Sequence, residues 1–100
     1  MEQIPIIGSE DRPILYAFLD SGRLHFQFEY YGSRENEMDY EFIHSVVPAE
    51  YPAIAIKFGL DPKAEILLVI QQISDLGRGE ELKDALDNNE IKNELWTWLS

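Results

Sequence analysis

The sequence has no cysteine, which excludes disulfide bonds and thiolate metal sites and is compatible with a reducing cytoplasm. Its longest aliphatic run, residues 66–70, is far shorter than the roughly 20 residues of a membrane-spanning helix. Residues 1–11 contain neither the basic segment nor the apolar run of a signal peptide, so we expect none. Together these absences predict a cytoplasmic protein.

Sequence motifs of catalysis are also missing. No Gly-rich phosphate loop follows a predicted strand, and no serine stands in a G-x-S-x-G context. The two histidines, His25 and His44, lie in neighbouring predicted strands and should point to opposite faces of the sheet, which disfavours a shared metal site. We therefore expect a protein that is not an enzyme, with no catalytic residue, no metal and no cofactor.

Basic residues are scarce: 8 Lys and Arg stand against 19 Asp and Glu, for a net charge of −11. The acidic excess is present in both residues 1–47 and residues 48–100. Such a surface repels phosphate backbones and anionic membranes, so we expect neither nucleic acid nor membrane as a direct partner. It attracts cationic proteins and speeds association with them. Solubility alone is the alternative interpretation of this charge.

The sequence has enough apolar residues for a packed core. With 100 residues and 45% apolar content, it predicts one domain over residues 1–100. Residues 22–31, GRLHFQFEYY, alternate between apolar and mostly polar positions, the pattern of a strand with one buried face. The buried face is predicted to carry Leu24, Phe26, Phe28 and Tyr30.

A β-hairpin is predicted before this strand. Pro13–Asp20, PILYAFLD, reads as a strand, and Gly22 supplies the positive φ of the tight turn that follows it. Two registers are open, because a two-residue loop pairs Ala17 with Phe26 whereas a bulged turn pairs Tyr16 with Phe26. In either register the first strand is apolar on both faces, so we expect it to lie inside the sheet. Residues 1–12 predict a short edge strand or a tucked arm.

Residues 38–47, MDYEFIHSVV, predict the next strand. Placing its large apolar residues on the buried face pairs Phe28 with Tyr40 and Glu29 with Asp39. Two carboxylates directly opposite each other are mildly destabilising, which favours a binding role for them. The alternative is that Arg23 or Arg34 neutralises the pair.

After Pro48 the apolar period changes to that of helices. Asp61 and Pro62 are typical of a helix start, and Gly77 and Gly79 of a helix end. The first three predicted helices are residues 51–58, 62–76 and 80–86. A last helix is predicted to begin after Asn88 or Asn89 and to place Ile91, Leu95 and Trp98 on one face. Trp96 would lie off that face, at the rim of the core or at an interface. A buried strand over residues 66–70 is the alternative to the second helix.

This order of elements predicts an α+β fold in two layers. An N-terminal antiparallel β-meander of three, possibly four strands would pack against three to four C-terminal helices. The acidic residues of the strand region form the candidate binding site, because tyrosines beside carboxylates suit an interface that meets Lys and Arg. The candidate partner-binding residues are Glu29, Tyr31, Glu35, Glu37, Asp39 and Glu41.

A second acidic cluster lies on the last predicted helices. Its members are Glu80, Glu81, Asp84, Asp87 and Glu90. These residues also fit solvated helix faces and first-turn acids that the helix dipole favours. We therefore prefer the strand cluster as the binding site.

Four segments of the chain carry a resemblance to a known family. PILYAFLD, GRLHFQFEYY, VVPAEYPAIAIKFGLDP and ELWTWLS, in an acidic α+β chain without cysteine, resemble the immunity proteins of bacterial contact-dependent growth inhibition and related toxin systems. The resemblance implies a cytoplasmic protein that binds the C-terminal toxin domain of its cognate effector, often a basic nuclease, and blocks the toxin's active site. It implies no catalysis.

We therefore expect a monomer that forms a 1:1 complex with a basic toxin domain. The carboxylates would take the place of substrate phosphates in a cationic active site. The alternative is an acidic nucleic-acid mimic or regulatory subunit that inhibits a host enzyme.

Overall fold

A five-stranded antiparallel sheet forms one layer of the fold in a computed structural model that describes residues 3–8, 13–30 and 40–99. The strands neighbour one another in chain order and are β1 Gln3–Gly8, β2 Pro13–Asp20, β3 Arg23–Tyr30, β4 Tyr40–Val46 and β5 Glu94–Leu99. Between β4 and β5 the chain forms a 3₁₀ turn, Pro48–Glu50, and the helices α1 Tyr51–Lys57, α2 Ile66–Asp75 and α3 Gly79–Asp87. The α+β class is confirmed, with five strands in place of three or four.

The turn between β2 and β3 contains two residues, Ser21 and Gly22. Both have positive φ, at 54° and 79°, as the twist of a tight hairpin requires. Ala17 consequently pairs with Phe26, which selects the two-residue register from the two that the sequence left open. β2 lies between β1 and β3, as predicted.

The predicted register of β3 and β4 is wrong by two residues. Phe28 pairs with Phe42 instead of Tyr40, and Glu29 pairs with Glu41 instead of Asp39. The shift places Val46 opposite Leu24, where both side chains are fully buried. Because a two-residue shift keeps every side chain on its predicted face, His25 and His44 still point to opposite sides.

The helices cover one face of the sheet. The shared core contains Leu15, Ala17, Leu24, Phe26 and Val46 from the sheet and Ile54, Ile70, Ile73, Leu82 and Leu86 from the helices. Each fully buried aliphatic or aromatic side chain contributes about 1.5–3 kcal/mol to stability, so this interface holds the two layers together. None of the helices in the described ranges is both long and apolar enough to cross a membrane.

Helix α2 begins four residues later than predicted. Asp61 caps a local turn instead of the helix: its Oδ1 accepts a hydrogen bond from the amide of Lys63 at 2.9 Å, and its carbonyl oxygen accepts one from Ala64. The chain is then extended at Glu65, with ψ 137°, so the helix starts at Ile66. The helix ends at Asp75, and Gly77 follows with φ 72°, in agreement with the predicted role of Gly77, whereas Gly79, which was also predicted to end this helix, begins α3. The alternative strand over residues 66–70 is excluded.

The last predicted helix is wrong, because this segment forms β5. Helix α3 is confirmed with Leu82, Ala85 and Leu86 buried, but Asn89 after it adopts a left-handed φ of 56°, which ends the helix. From Glu94 the chain pairs with β4 in a continuous antiparallel register. The free edge of β4 supplies backbone partners that a short terminal helix would leave unused.

Candidate protein-binding site

The face of the sheet opposite the helices is the candidate site, and we call it the open face. Its described side chains include those of Ile14, Tyr16, Phe18, His25, Gln27, Glu29, Ile43, Ser45, Glu94 and Trp96. They share this face because side chains alternate along each strand and pair across neighbouring strands. None of them belongs to the core that the sheet forms with the described helices.

The register arranges the open face in rows that cross β2, β3, β4 and β5. One row is Phe18, His25, Ser45 and Glu94, and the next is Tyr16, Gln27, Ile43 and Trp96. In the next register position, the backbone of Glu41 lies between those of Glu29 and Trp98. We call Tyr16, Phe18, Ile43 and Trp96 the apolar band. The apolar band lies between acidic residues at the two ends of the face, with Glu29 at one end and Asp20 and Glu94 at the other.

A pocket of about 290 Å³ opens at one end of the band, and we call it the Trp96 pocket. Phe18, Ile43 and Trp96 form its apolar walls. His25 and Ser45 contribute polar atoms, while Asp20 and Arg23 complete the lining. Ser45 is only 5% exposed, whereas Trp96 is 56% exposed. The pocket therefore has a buried polar side and an indole that solvent reaches.

Contacts within the pocket hold its polar side in place. Nδ1 of His25 and Oγ of Ser45 form a hydrogen bond of 2.8 Å, and the His25 ring stacks on Phe18 with centroids 5.3 Å apart. At the rim, Nη1 of Arg23 lies 3.7 Å from Oε2 of Glu94, and both side chains are half exposed. The imidazole is thus fixed by two neighbours, whereas the ion pair is loose and solvated.

Glu29 lies at the other end of the band, and its carboxylate is held by neighbours on the same face. Oε1 accepts a hydrogen bond of 2.9 Å from the Tyr16 hydroxyl and one of 3.0 Å from the Gln27 amide. Hydrogen bonds to a charged acceptor are stronger than neutral ones, so they orient the carboxylate before any partner arrives. The open face therefore presents a fixed negative charge beside its apolar band.

The six sequence-predicted residues are only partly placed by the structure. Glu29 lies on the open face, and the register puts Glu41 directly opposite it. Tyr31, Glu35, Glu37 and Asp39 lie outside the described residues, as does Arg34. Arg23, the other arginine that was expected to neutralise the carboxylates, approaches Glu94 instead.

The acids of the helical cluster largely face basic neighbours. Glu81 forms a two-bond ion pair with Arg78, at 2.7 and 3.1 Å, and these hydrogen bonds hold the pKa of Glu81 below its ordinary value. Asp87 pairs with Lys83 at 2.6 Å, and Glu90 with Lys57 at 3.3 Å. Much of the negative charge of this cluster is therefore compensated within the chain, which favours the open face as the binding site.

Sequence reasoning did not find the Trp96 pocket. The sequence prediction placed Trp96 on the last helix, off its buried face, although the aromatic and β-branched residues of ELWTWL are also typical of a strand. In the structure, Trp96 shares one face of the sheet with Ile43 and Phe18. Their closeness depends on β5 joining β4, which no local pattern specifies.

The described side chains contain no cluster of three or more His, Asp or Glu suited to a metal ion. Comparisons with protein-family models, with curated proteins and with solved structures found no match. Fold and site define an α+β protein whose sheet is covered by helices on one face and presents an aromatic and acidic surface on the other. Such a surface is suited to binding another protein.

Proposed function

We propose that this chain is an immunity protein that binds the C-terminal toxin domain of a cognate effector and blocks its active site. The observation that carries the proposal is an apolar band flanked by acidic residues, on the open face of a chain with a net charge of −11. The toxin would be a basic nuclease domain, and the complex would form 1:1 in the cytoplasm.

The acidic end of the open face would enter the cationic active site. The carboxylate of Glu29 is already oriented by Tyr16 and Gln27, so little side-chain entropy is lost when it meets an arginine or lysine. We extend this contact surface to the sequence-predicted residues around it, which are Tyr31, Glu35, Glu37, Asp39 and Glu41. The carboxylates would occupy the positions of substrate phosphates and thereby exclude the substrate.

The apolar band would provide most of the buried interface. Tryptophan is among the residues that most often dominate binding energy when a partner removes them from water, and Trp96 is 56% exposed, whereas Tyr16 is already buried within the chain. Charge around the band would accelerate encounter, since electrostatic steering raises association rates from about 10⁵–10⁶ to as much as about 10⁸–10⁹ M⁻¹s⁻¹ at low salt. Charge and apolar area thus have separate roles, in the rate of encounter and in the lifetime of the complex.

The test uses the effector domain encoded next to this gene. Co-expression should protect cells from that domain, and the purified proteins should form a 1:1 complex by light scattering and abolish nuclease activity at equimolar ratio. A toxin domain of the same class from another effector is the control and should be neither bound nor inhibited. Failure of the cognate pair to associate would remove the proposal. Co-purification of a host nucleic-acid enzyme would instead favour the nucleic-acid-mimic alternative.

A further inference from the structure

We propose that the Trp96 pocket is a receptor for one arginine side chain of a basic protein partner. That this partner is a toxin domain rests on the proposed function. The proposal that the pocket binds arginine does not rest on it, because an arginine derivative with both ends capped can test the pocket without any toxin. The occupant follows from three properties of the pocket, which are its apolar walls, its exposed indole and its acidic rim.

The walls suit the aliphatic part of a long side chain. Phe18, Ile43 and Trp96 line a space of about 290 Å³, which is enough for one long side chain. Trp96 is 56% exposed, so a side chain that covered it would remove apolar area from water. Arginine buries its methylene groups against such surfaces while its charged end stays near polar groups.

The indole and the rim suit the cationic end. A guanidinium placed over tryptophan gains about 0.5–1 kcal/mol at an exposed site and about 2 kcal/mol or more when desolvated. Asp20 lines the pocket, and Glu94 lies two positions before Trp96 on the same face of β5. Arg23 also lines the pocket, so two carboxylates and one guanidinium give this rim a formal net charge of −1, which is complementary to a positive charge.

Within the chain, the guanidinium of Arg23 already contacts the acidic rim of the pocket. Its Nη1 approaches Oε2 of Glu94 at 3.7 Å, and the side chains are 50% and 63% exposed. Exposed pairs of this kind contribute about 0–1 kcal/mol, so Glu94 can exchange Arg23 for a partner's arginine at little cost. The partner's guanidinium would gain the stacking contact with Trp96 in addition.

Other occupants fit less well. An aliphatic side chain would cover the walls but would remove water from Asp20 and Glu94 without supplying a counter-charge. A lysine ammonium is a compact and strongly hydrated charge, whereas a guanidinium is planar, stacks on aromatic rings and contacts a carboxylate through two N–H groups. Arginine is therefore the occupant that matches both parts of the pocket.

The first experiment measures the pocket alone. In the Trp98→Phe variant Trp96 is the sole tryptophan, and its fluorescence is followed during titration with N-acetyl-arginine amide, N-acetyl-lysine amide or N-acetyl-leucine amide. The arginine derivative should change the Trp96 emission and the His25 ring signals at millimolar concentration, and it should bind at least about threefold more tightly than the lysine derivative. Equal or tighter binding of the lysine or leucine derivative, or no response to any of the three, would overturn the proposal.

The second experiment uses the toxin domain with Trp96→Ala, Trp96→Phe and Asp20→Asn. Trp96→Ala should weaken binding at least about 30-fold, as expected for a binding hot spot, and Trp96→Phe should weaken it less because an aromatic ring remains. Leu68→Ala is the matched control, since Leu68 is an exposed residue of α2, on the helical side of the sheet, and does not line the pocket. Urea unfolding of each variant establishes that it is folded.

The two experiments separate the two proposals. Binding of the arginine derivative without any binding of the toxin would remove the proposed function and leave the pocket assignment intact. Toxin binding that Trp96→Ala leaves unchanged would remove the pocket from the interface and leave the proposed function intact.

Discussion

The side-chain oxygen of Asn93 lies 2.8 Å from Nδ1 of His44, a histidine that is only 3% exposed. The amide nitrogen of Asn93 donates to the carbonyl oxygens of Leu86 and Ile91, at 2.9 and 2.7 Å. Because both carbonyls need the NH₂ group, the oxygen must face His44, and Nδ1 must carry the proton. Asn93 therefore connects β4 to the end of α3 and to the segment that precedes β5.

The Asn93→Ala substitution should destabilise the protein by about 1–3 kcal/mol, because it leaves a buried histidine donor without its acceptor and removes the side-chain donor from two carbonyl oxygens. Urea unfolding followed by circular dichroism measures the change. Asn88→Ala is the control, since Asn88 is an exposed residue at the end of α3, and its effect should stay within about 0.5 kcal/mol. Equal stability of the two variants would show that the Asn93 link contributes nothing.

The Asn93–His44 contact also explains why sequence reasoning misplaced the last segment. The spacing of Ile91, Leu95 and Trp98 fits one face of a helix, while the aromatic and β-branched residues of ELWTWL favour a strand. A local pattern cannot choose between them. The choice depends on β4, whose edge and buried His44 lie about 50 positions earlier in the chain than β5.

Features that depend only on residues close together in the sequence were predicted more successfully. The hairpin at Gly22, the two faces of β3 and the buried side of α3 follow from local spacing, and the structure confirms them. The register of β3 and β4 was not predictable, because it depends on which apolar pair fills the core across the sheet. The site divides in the same way: Glu29 was found from alternation within one strand, whereas the Trp96 pocket is built from residues of four strands.

Gly79 at the start of α3 is predicted to be irreplaceable for a steric reason. A Cβ there would lie 2.5 Å from the carbonyl oxygen of Ile6 and 2.6 Å from its Cγ2. Helix propensity alone favours alanine over glycine by about 1 kcal/mol, but overpacking against a backbone atom costs about 1–3 kcal/mol. Gly79→Ala should therefore be destabilising in urea unfolding. The control, Glu80→Ala, should stay within about 0.5 kcal/mol, and a stabilised Gly79→Ala variant would contradict the contact between α3 and β1.

The ion pair between Arg78 and Glu81 should make a small, pH-dependent contribution to stability. Hydrogen bonds from Arg78 lower the pKa of Glu81 from its ordinary value of 4.5. The contribution is therefore present above pH 4.5 and is lost as the pH falls through the lowered folded-state value. Glu81→Gln should lower the urea midpoint at pH 7, and the difference from the native chain should shrink in acid.

Glu80→Gln is the control for this pH effect. Glu80 is an acid of the same first helical turn, so it shares the helix dipole, but it forms none of the ion pairs recorded among the described residues. A pH dependence that is the same in both variants would assign the effect to the dipole instead of Arg78.

The acids of the open face should govern the rate at which the toxin domain associates. Glu29→Gln with Glu41→Gln removes two charges, while the glutamine oxygen at position 29 can still accept the hydrogen bond from Tyr16. The association rate should fall roughly tenfold at low ionic strength, and its salt dependence should weaken, because steering depends on charge close to the interface. Glu80→Gln with Asp84→Asn changes the net charge equally on α3 and should have a smaller effect. If the α3 pair instead produces the larger decrease in stopped-flow measurements, the toxin binds the helical acids and not the open face.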